Sequence, residues 1–256
     1  MQKYRMSRGI NQAIINGILQ GYKNYIEERK AKREEMHIST AYSWVKGNHI
    51  DHQTAEECKE FGIGFKKAKA GYAWGYLQFD IDTGPSMFII KNGKYFDEEN
   101  FTRRKGMPRE NTDPERETYL KRLSHINNNV AFPEEPSLFT TAQKKEYLTL
   151  FDDEQLEEPQ ARELEEKFNH FYIITYEIDE AFAISKIRML MPNPQDNQAY
   201  EIEDLSEYIA TSTVIFEEDD YEILIEDGFD APQSPAAADY GIVHQEELFK
   251  DDEEEG

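Results

Sequence analysis

His49-Ile50-Asp51-His52 sets two imidazoles and a carboxylate in a row, a combination that suits a transition metal. A metal needs further ligands, and the chain has neither a His-Glu-x-x-His spacing nor paired cysteines. Asp51 is therefore read as the N-cap of a helix running to about Phe61, and no metal or cofactor is expected. The single cysteine, Cys58, stands among Glu56, Glu57 and Glu60, whose charges oppose thiolate formation, so it is read as structural. Gly-x-Ser-x-Gly, the phosphate-cradling Gly-x-x-x-x-Gly-Lys-Ser/Thr and Gly-x-Gly-x-x-Gly are all absent, which speaks against serine hydrolases and phosphate-loop enzymes. Two further sets could carry chemistry. One is the carboxylates of Glu28, Asp80 and Asp82 with the amine of Lys91. The other is Lys66, Lys67 and Lys69 near Trp74, with Arg103 and Arg104 beyond them; lysines and rings on a sheet face make a platform for single-stranded nucleic acid. Ordinary strand packing with lysines outward explains the same residues.

The elements that must position these groups follow from hydrophobic spacing. Ile10, Ile14, Ile15, Ile18, Leu19, Tyr22, Tyr25 and Ile26 recur at helical steps, predicting an amphipathic helix over 8–35 with Ser7 as N-cap. Three strands follow, at Gly62–Ala70, Tyr72–Ile81 and Ser86–Lys91, with a hairpin signal at Asn92-Gly93. In the middle strand Leu77, Phe79 and Ile81 share one face, and Trp74, Tyr76, Gln78 and Asp80 the other. Residues 102–117 read as a loop, followed by helices at about Glu115–Asn127, Thr140–Phe151 and Glu154–His170, the last starting at Pro159 if it forms. Phe171–Ile178 and Ala181–Met191 read as a hairpin across Asp179-Glu180. A short helix is expected at Glu203–Ile209, and edge strands at Val214–Phe216 and Tyr221–Ile225. The fold class is α+β: a mainly antiparallel sheet, a long N-terminal helix, helices on one face and a disordered acidic tail.

Charge divides the chain more sharply than any motif does. The 256 residues carry a formal charge of −23, yet residues 1–150 hold 24 Lys and Arg against 20 Asp and Glu, and residues 151–256 hold 5 against 32. Three units are expected: 1–132, basic to neutral; 137–227, acidic, which can share the core of the first; and 228–256, a tail with too little apolar area to offset the entropy of ordering. Runs at Glu217, Glu218, Asp219 and Asp220 and at Asp251, Asp252 and Glu253 are either a solubilising surface or one that competes for a basic partner by imitating phosphate spacing. The same acidity disfavours direct binding of free nucleic acid. No apolar run reaches bilayer length and no apolar core follows Met1. With one cysteine and no internal disulfide, this predicts a reducing, cytoplasmic compartment and no membrane partner.

The order helix, three strands, helix resembles the core of restriction-type nucleases of the PD-(D/E)-x-K class, in which strand carboxylates and a lysine hold Mg²⁺ beside the scissile phosphate. The position two before Lys91 is Ile89, so one carboxylate of that pattern is missing and an inactive relative is the form this resemblance implies. Tyr42-Ser43-Trp44 with Val45–Ile50, the run Ala70–Leu77, and the hairpin Phe171–Met191 followed by Glu203-Asp204-Leu205-Ser206 resemble an uncharacterised family of low-GC Gram-positive bacteria, their prophages and integrative elements. That resemblance implies a bacterial cytoplasm and mobile elements, and it supplies no catalytic residues. The resulting expectation is a non-enzymatic regulator or inhibitor that binds a basic or nucleic-acid-handling protein, with DNA mimicry or an anti-defence role as its sharper form. The alternative is a nucleic-acid-binding or degenerate nuclease-like protein using Lys66, Lys67, Lys69, Trp74, Arg103 and Arg104.

Overall fold

Ser7 accepts a hydrogen bond from the Ile10 amide (3.4 Å) and starts helix α1, Arg8–Glu35. The expected stripe from Ile10 to Ile26 is buried along it. In the computed structural model, which describes residues 1–70, 74–81, 84–102, 118–133 and 158–226, α1 packs against helix α2, Lys46–Cys58. Gly17 and Gly21, one turn apart on a single face, form the crossing. A Cβ at Gly17 would stand 2.4 Å from Thr54 Cα, and one at Gly21 2.5 Å from Ile50 Cα, so the two backbones touch where no larger residue fits.

Six strands form one sheet in sequence order: β1 Ile63–Ala70, β2 Trp74–Ile81, β3 Ser86–Asn92, β4 His170–Ile178, β5 Ile184–Pro192 and β6 Ala199–Asp204. Neighbours are antiparallel except β3 and β4, which run parallel from Ser86↔His170 to Asn92↔Tyr176. A parallel pair needs a crossover; this one includes α3, Tyr119–Ser124, and α4, Glu158–Lys167. Strands from both halves of the sequence thus share one sheet. The protein is α+β with a mainly antiparallel sheet and a long N-terminal helix.

Helices cover both faces, not one. Phe79, Ile81, Phe88, Ile174 and Met189 pack toward α1 and α2. Met87, Ile89, Phe171, Ile173 and Leu190 pack toward Leu120, Leu123, Leu164 and Phe168 of the crossover, with Phe96 and Phe101. Burial on two sides makes β4 an almost continuous apolar run. Asn127, fully buried, ties this second layer down: its amide donates to Phe171 O (3.0 Å) and Pro192 O (2.9 Å), and its oxygen accepts from the Phe171 amide (2.8 Å).

Several local expectations are corrected. Asn92-Gly93 makes no hairpin: the Gly93 amide donates to Tyr176 O (2.8 Å), where a Cβ would stand 2.8 Å from Glu177 Cγ. The β4–β5 turn spans Asp179–Ala183, not two residues. The Asp179 carboxylate accepts from the Ala181 and Ala183 amides (3.0 Å each), and Phe182 takes a positive φ of 62°. Glu203 and Asp204 end β6, and a 3-10 turn follows at Ser206–Thr211 in place of the expected helix. Val214–Phe216 is not a strand, and Tyr221–Ile225 overlaps a short helix, α5, Glu222–Glu226. Helix α4 does begin beside Pro159, as its fixed φ allows. The loop from residue 103 to 117, the helix at 140–151, the linker beyond Pro133 and the tail at 228–256 lie outside the described residues.

Candidate functional site

The nuclease-like set is divided by the sheet. Asp80 is paired with Met87 across β2 and β3 and so faces the crossover layer, where it forms an ion pair with Lys167 of α4. Lys91 lies on the same face, its Nζ 5.5 Å from the Tyr119 ring centroid. Ile89, between them in the pattern, is buried in that core. Glu28 belongs to α1 in the opposite layer and lies 3.8 Å from Lys32. Asp82 is outside the described residues. Among the described residues no three His, Cys, Asp or Glu side chains are placed to hold a metal.

The histidine-rich tetrapeptide has a structural role. Asp51 is not the N-cap of α2, which starts five residues earlier at Lys46. Its carboxylate instead accepts from the Leu77 amide (2.9 Å), beyond the short stretch where β2 pairs with β3, and so docks the helix on the sheet. Burial pushes the Asp51 carboxyl up to about 7, against the opposing pull of that bond and of Lys91. His49 packs edge-on to Tyr25 (6.3 Å), and burial lowers its pKa. Cys58 is fully buried, and burial, then Glu57, push its thiol up to about 12, so it stays a thiol at neutral pH.

The acidic run at 217–220 divides between inward and outward residues. Asp220 is 8% exposed and faces inward, 3.3 Å from Lys30 and 3.7 Å from Lys23 of α1. Burial pushes its carboxyl up, but the Glu217 amide (2.9 Å), Lys30 and Lys23 outweigh burial and hold it below the usual range. Asp220 therefore serves the chain's own packing, with Phe216 stacked on Tyr221 (5.6 Å) and tilted against Tyr22 (6.1 Å). Glu217 and Asp219 are exposed. Glu218 lies in the 3-10 turn between them, and Asp251, Asp252 and Glu253 lie outside the described residues.

The basic platform does not form a single face. Lys67 pairs with Leu77 and Lys69 with Gly75, while Lys66 pairs with Gln78. Strand alternation therefore puts Lys67 and Lys69 on the α2 side and Lys66 on the other. Trp74 starts β2 opposite Ala70, and Arg103 and Arg104 lie outside the described residues.

Two charged clusters have no counterpart among the sequence expectations. Arg188, nearly buried, is held by Glu98 (2.7 Å), Glu177 (3.0 Å) and Glu201 (3.7 Å). Lys46 lies 5.7 Å from the Tyr25 ring, with Arg29 6.0 Å from the same ring; burial, then Lys94 and Arg29, lower Lys46 to about 8. Each depends on tertiary packing: the first joins β4, β5, β6 and the loop after β3, and the second joins α1 to the start of α2.

These features define an α+β protein whose helices cover both faces of a mixed six-stranded sheet, with acids concentrated on one half of the sequence and exposed lysines on one sheet edge. No protein-family model matches the chain, and searches of curated proteins and of solved structures returned no match. Among the described residues no helix is long and apolar enough to cross a membrane.

Proposed function

We propose that this chain is a non-enzymatic regulatory or inhibitory protein of the bacterial cytoplasm, associated with mobile elements, that engages a basic or nucleic-acid-handling protein through acids of residues 151–256. The observation that carries this reading is the outward placement of those acids. Glu163, Glu165 and Glu166 of α4, Glu207, and Glu217 and Asp219 are exposed, while Arg188, among the few cations of this half, is turned inward. Such a surface attracts a basic partner over the Debye length, roughly 8 Å at physiological salt, and in its sharpest form imitates DNA phosphates. The test is affinity capture from bacterial lysate at low salt, with wild type beside Glu163→Lys/Glu166→Lys and Glu217→Lys/Asp219→Lys. A basic or DNA-binding protein retained by wild type, and lost from a variant and at high salt, supports the reading; failure to recover one overturns it.

The alternative, a degenerate nuclease-like protein, is favoured by one observation: Asp80 and Lys91 share a face of the sheet. Mg²⁺-dependent cleavage of DNA or RNA, abolished by Asp80→Ala, would overturn the first reading in favour of an active nuclease.

A further inference from the structure

β1 is the outermost strand of the sheet, and among the described residues no strand pairs with its far side. It matches β2 along its whole length, from Ile63↔Ile81 to Ala70↔Trp74, whereas β2 matches β3 only over Phe79–Ile81. The β1–β2 pair therefore runs past β3 as a two-stranded ribbon whose outer row of backbone donors and acceptors has no strand partner among the described residues. Lys66, Lys67 and Lys69 along it are exposed, and none has an acid partner among the described residues. Phe65 is 44% exposed on the same strand.

A second copy of the chain fits this edge poorly. Pairing β1 with β1 would bring lysines together, and like charges opposite one another destabilise a strand pair. The acids of the other edge, β6, are committed: Glu203 to Asn11 (3.1 Å) and Arg5 (3.7 Å), Asp204 to the Ser206 amide (2.9 Å), and Glu201 toward Arg188 (3.7 Å). Charge complementarity calls for an acidic strand at this edge. We infer that β1 extends its sheet by taking up an extended acidic segment of another protein, with carboxylates beside Lys66, Lys67 and Lys69 and an apolar side chain beside Phe65. Main-chain hydrogen bonds would hold such a segment and side chains would select it. The three lysines keep basic strands off and leave an apolar strand facing uncompensated charge, so only an acidic one is matched.

The full-length protein is titrated into a fluorescein-labelled twelve-residue Glu-Val peptide containing Glu-Val-Glu-Glu-Val, which in antiparallel register sets Glu opposite Lys69, Lys67 and Lys66 and Val opposite Phe65, the same peptide N-methylated along one backbone edge, a Lys-for-Glu version, and a twelve-residue oligo-dT. Expected is saturable binding of the Glu-Val peptide, with hydrogen-exchange protection gained over residues 63–70. Affinity should fall at least tenfold on N-methylation, on Lys-for-Glu exchange, and in Lys66→Gln/Lys67→Gln/Lys69→Gln. That variant is used only after its thermal melt is shown to match wild type; if it does not match, the peptide series and the exchange pattern decide alone. Equal binding of the N-methylated peptide would mean charge attraction without strand addition. Tighter binding of oligo-dT would mean a nucleic-acid surface. Either result, or no protection over 63–70, overturns the inference.

Discussion

The two layers on this sheet are built in opposite ways. The α1–α2 layer comes from one continuous stretch of sequence, and its helices meet backbone to backbone at Gly17 and Gly21. The crossover layer is assembled from pieces: one turn and a half of α3, the acidic α4, the loop carrying Phe96 and Phe101, and a buried Asn127 that substitutes hydrogen bonds for helix length. The first layer depends on the absence of side chains at one crossing. The second depends on a few polar groups whose partners are distant in sequence.

The most damaging way to break this contrast is to fill the crossing. Gly21→Leu drives a side chain into Ile50 and His49 backbone and should cost about 3 kcal/mol or more, read as a large loss in denaturant midpoint or failure to fold. In the opposite layer Asn127→Ala leaves the buried Phe171 amide without its acceptor and should cost about 2 kcal/mol, with hydrogen exchange accelerated first in β4. The joint between helix and sheet can be probed by pH. Asp51 has a folded pKa of about 7, above its unfolded value of about 4, so the native state holds the proton more tightly. Its contribution is full below about pH 4 and is lost as pH rises through 7. Wild type should lose roughly 1–2 kcal/mol more than Asp51→Asn between pH 5 and 8, visible in paired thermal melts. The smallest effect belongs to Asp220→Asn, which removes the ion pairs to Lys23 and Lys30 and should cost about 1 kcal/mol, less at high salt. Because the Asp220 carboxyl is held below its usual range, this contribution is present at neutral pH and fades as pH falls below about 4.

The same contrast explains what was legible beforehand. The α1 stripe, its Ser7 cap, β1 to β5 and the Pro159 start of α4 are local patterns, and each stands within a few residues of where spacing predicts it. β6 was not legible: its buried residues, Ala199 and Ile202, are three apart, because a register shift at Met189/Leu190 breaks the alternation by which a strand is recognised. Asp51 carried a good capping signal, yet tertiary structure assigned its carboxylate to the Leu77 amide. That Asp80 and Lys91 share a face depends on the β2–β3 register, which strand parity alone does not set. Placement of Glu28 in the other layer, and of Asp220 against α1, needed the three-dimensional packing.

The parallel pair at the centre of the sheet also bears on how the chain reaches its fold. Every other strand pairing joins neighbours in sequence, so β1–β3 and β4–β6 can each zip up through nearby contacts. Ser86 and His170, which meet at the seam with Ser86 Oγ 3.3 Å from His170 Nδ1, are 84 residues apart, making the seam the pairing with the greatest loop-closure cost and the natural late step of folding. That cost grows only with the logarithm of length, about 0.6 kcal/mol per doubling of a flexible loop. Lengthening the crossover between its packed elements therefore costs little closure entropy, whereas one added residue within β5 would turn its inward side chains to the opposite face.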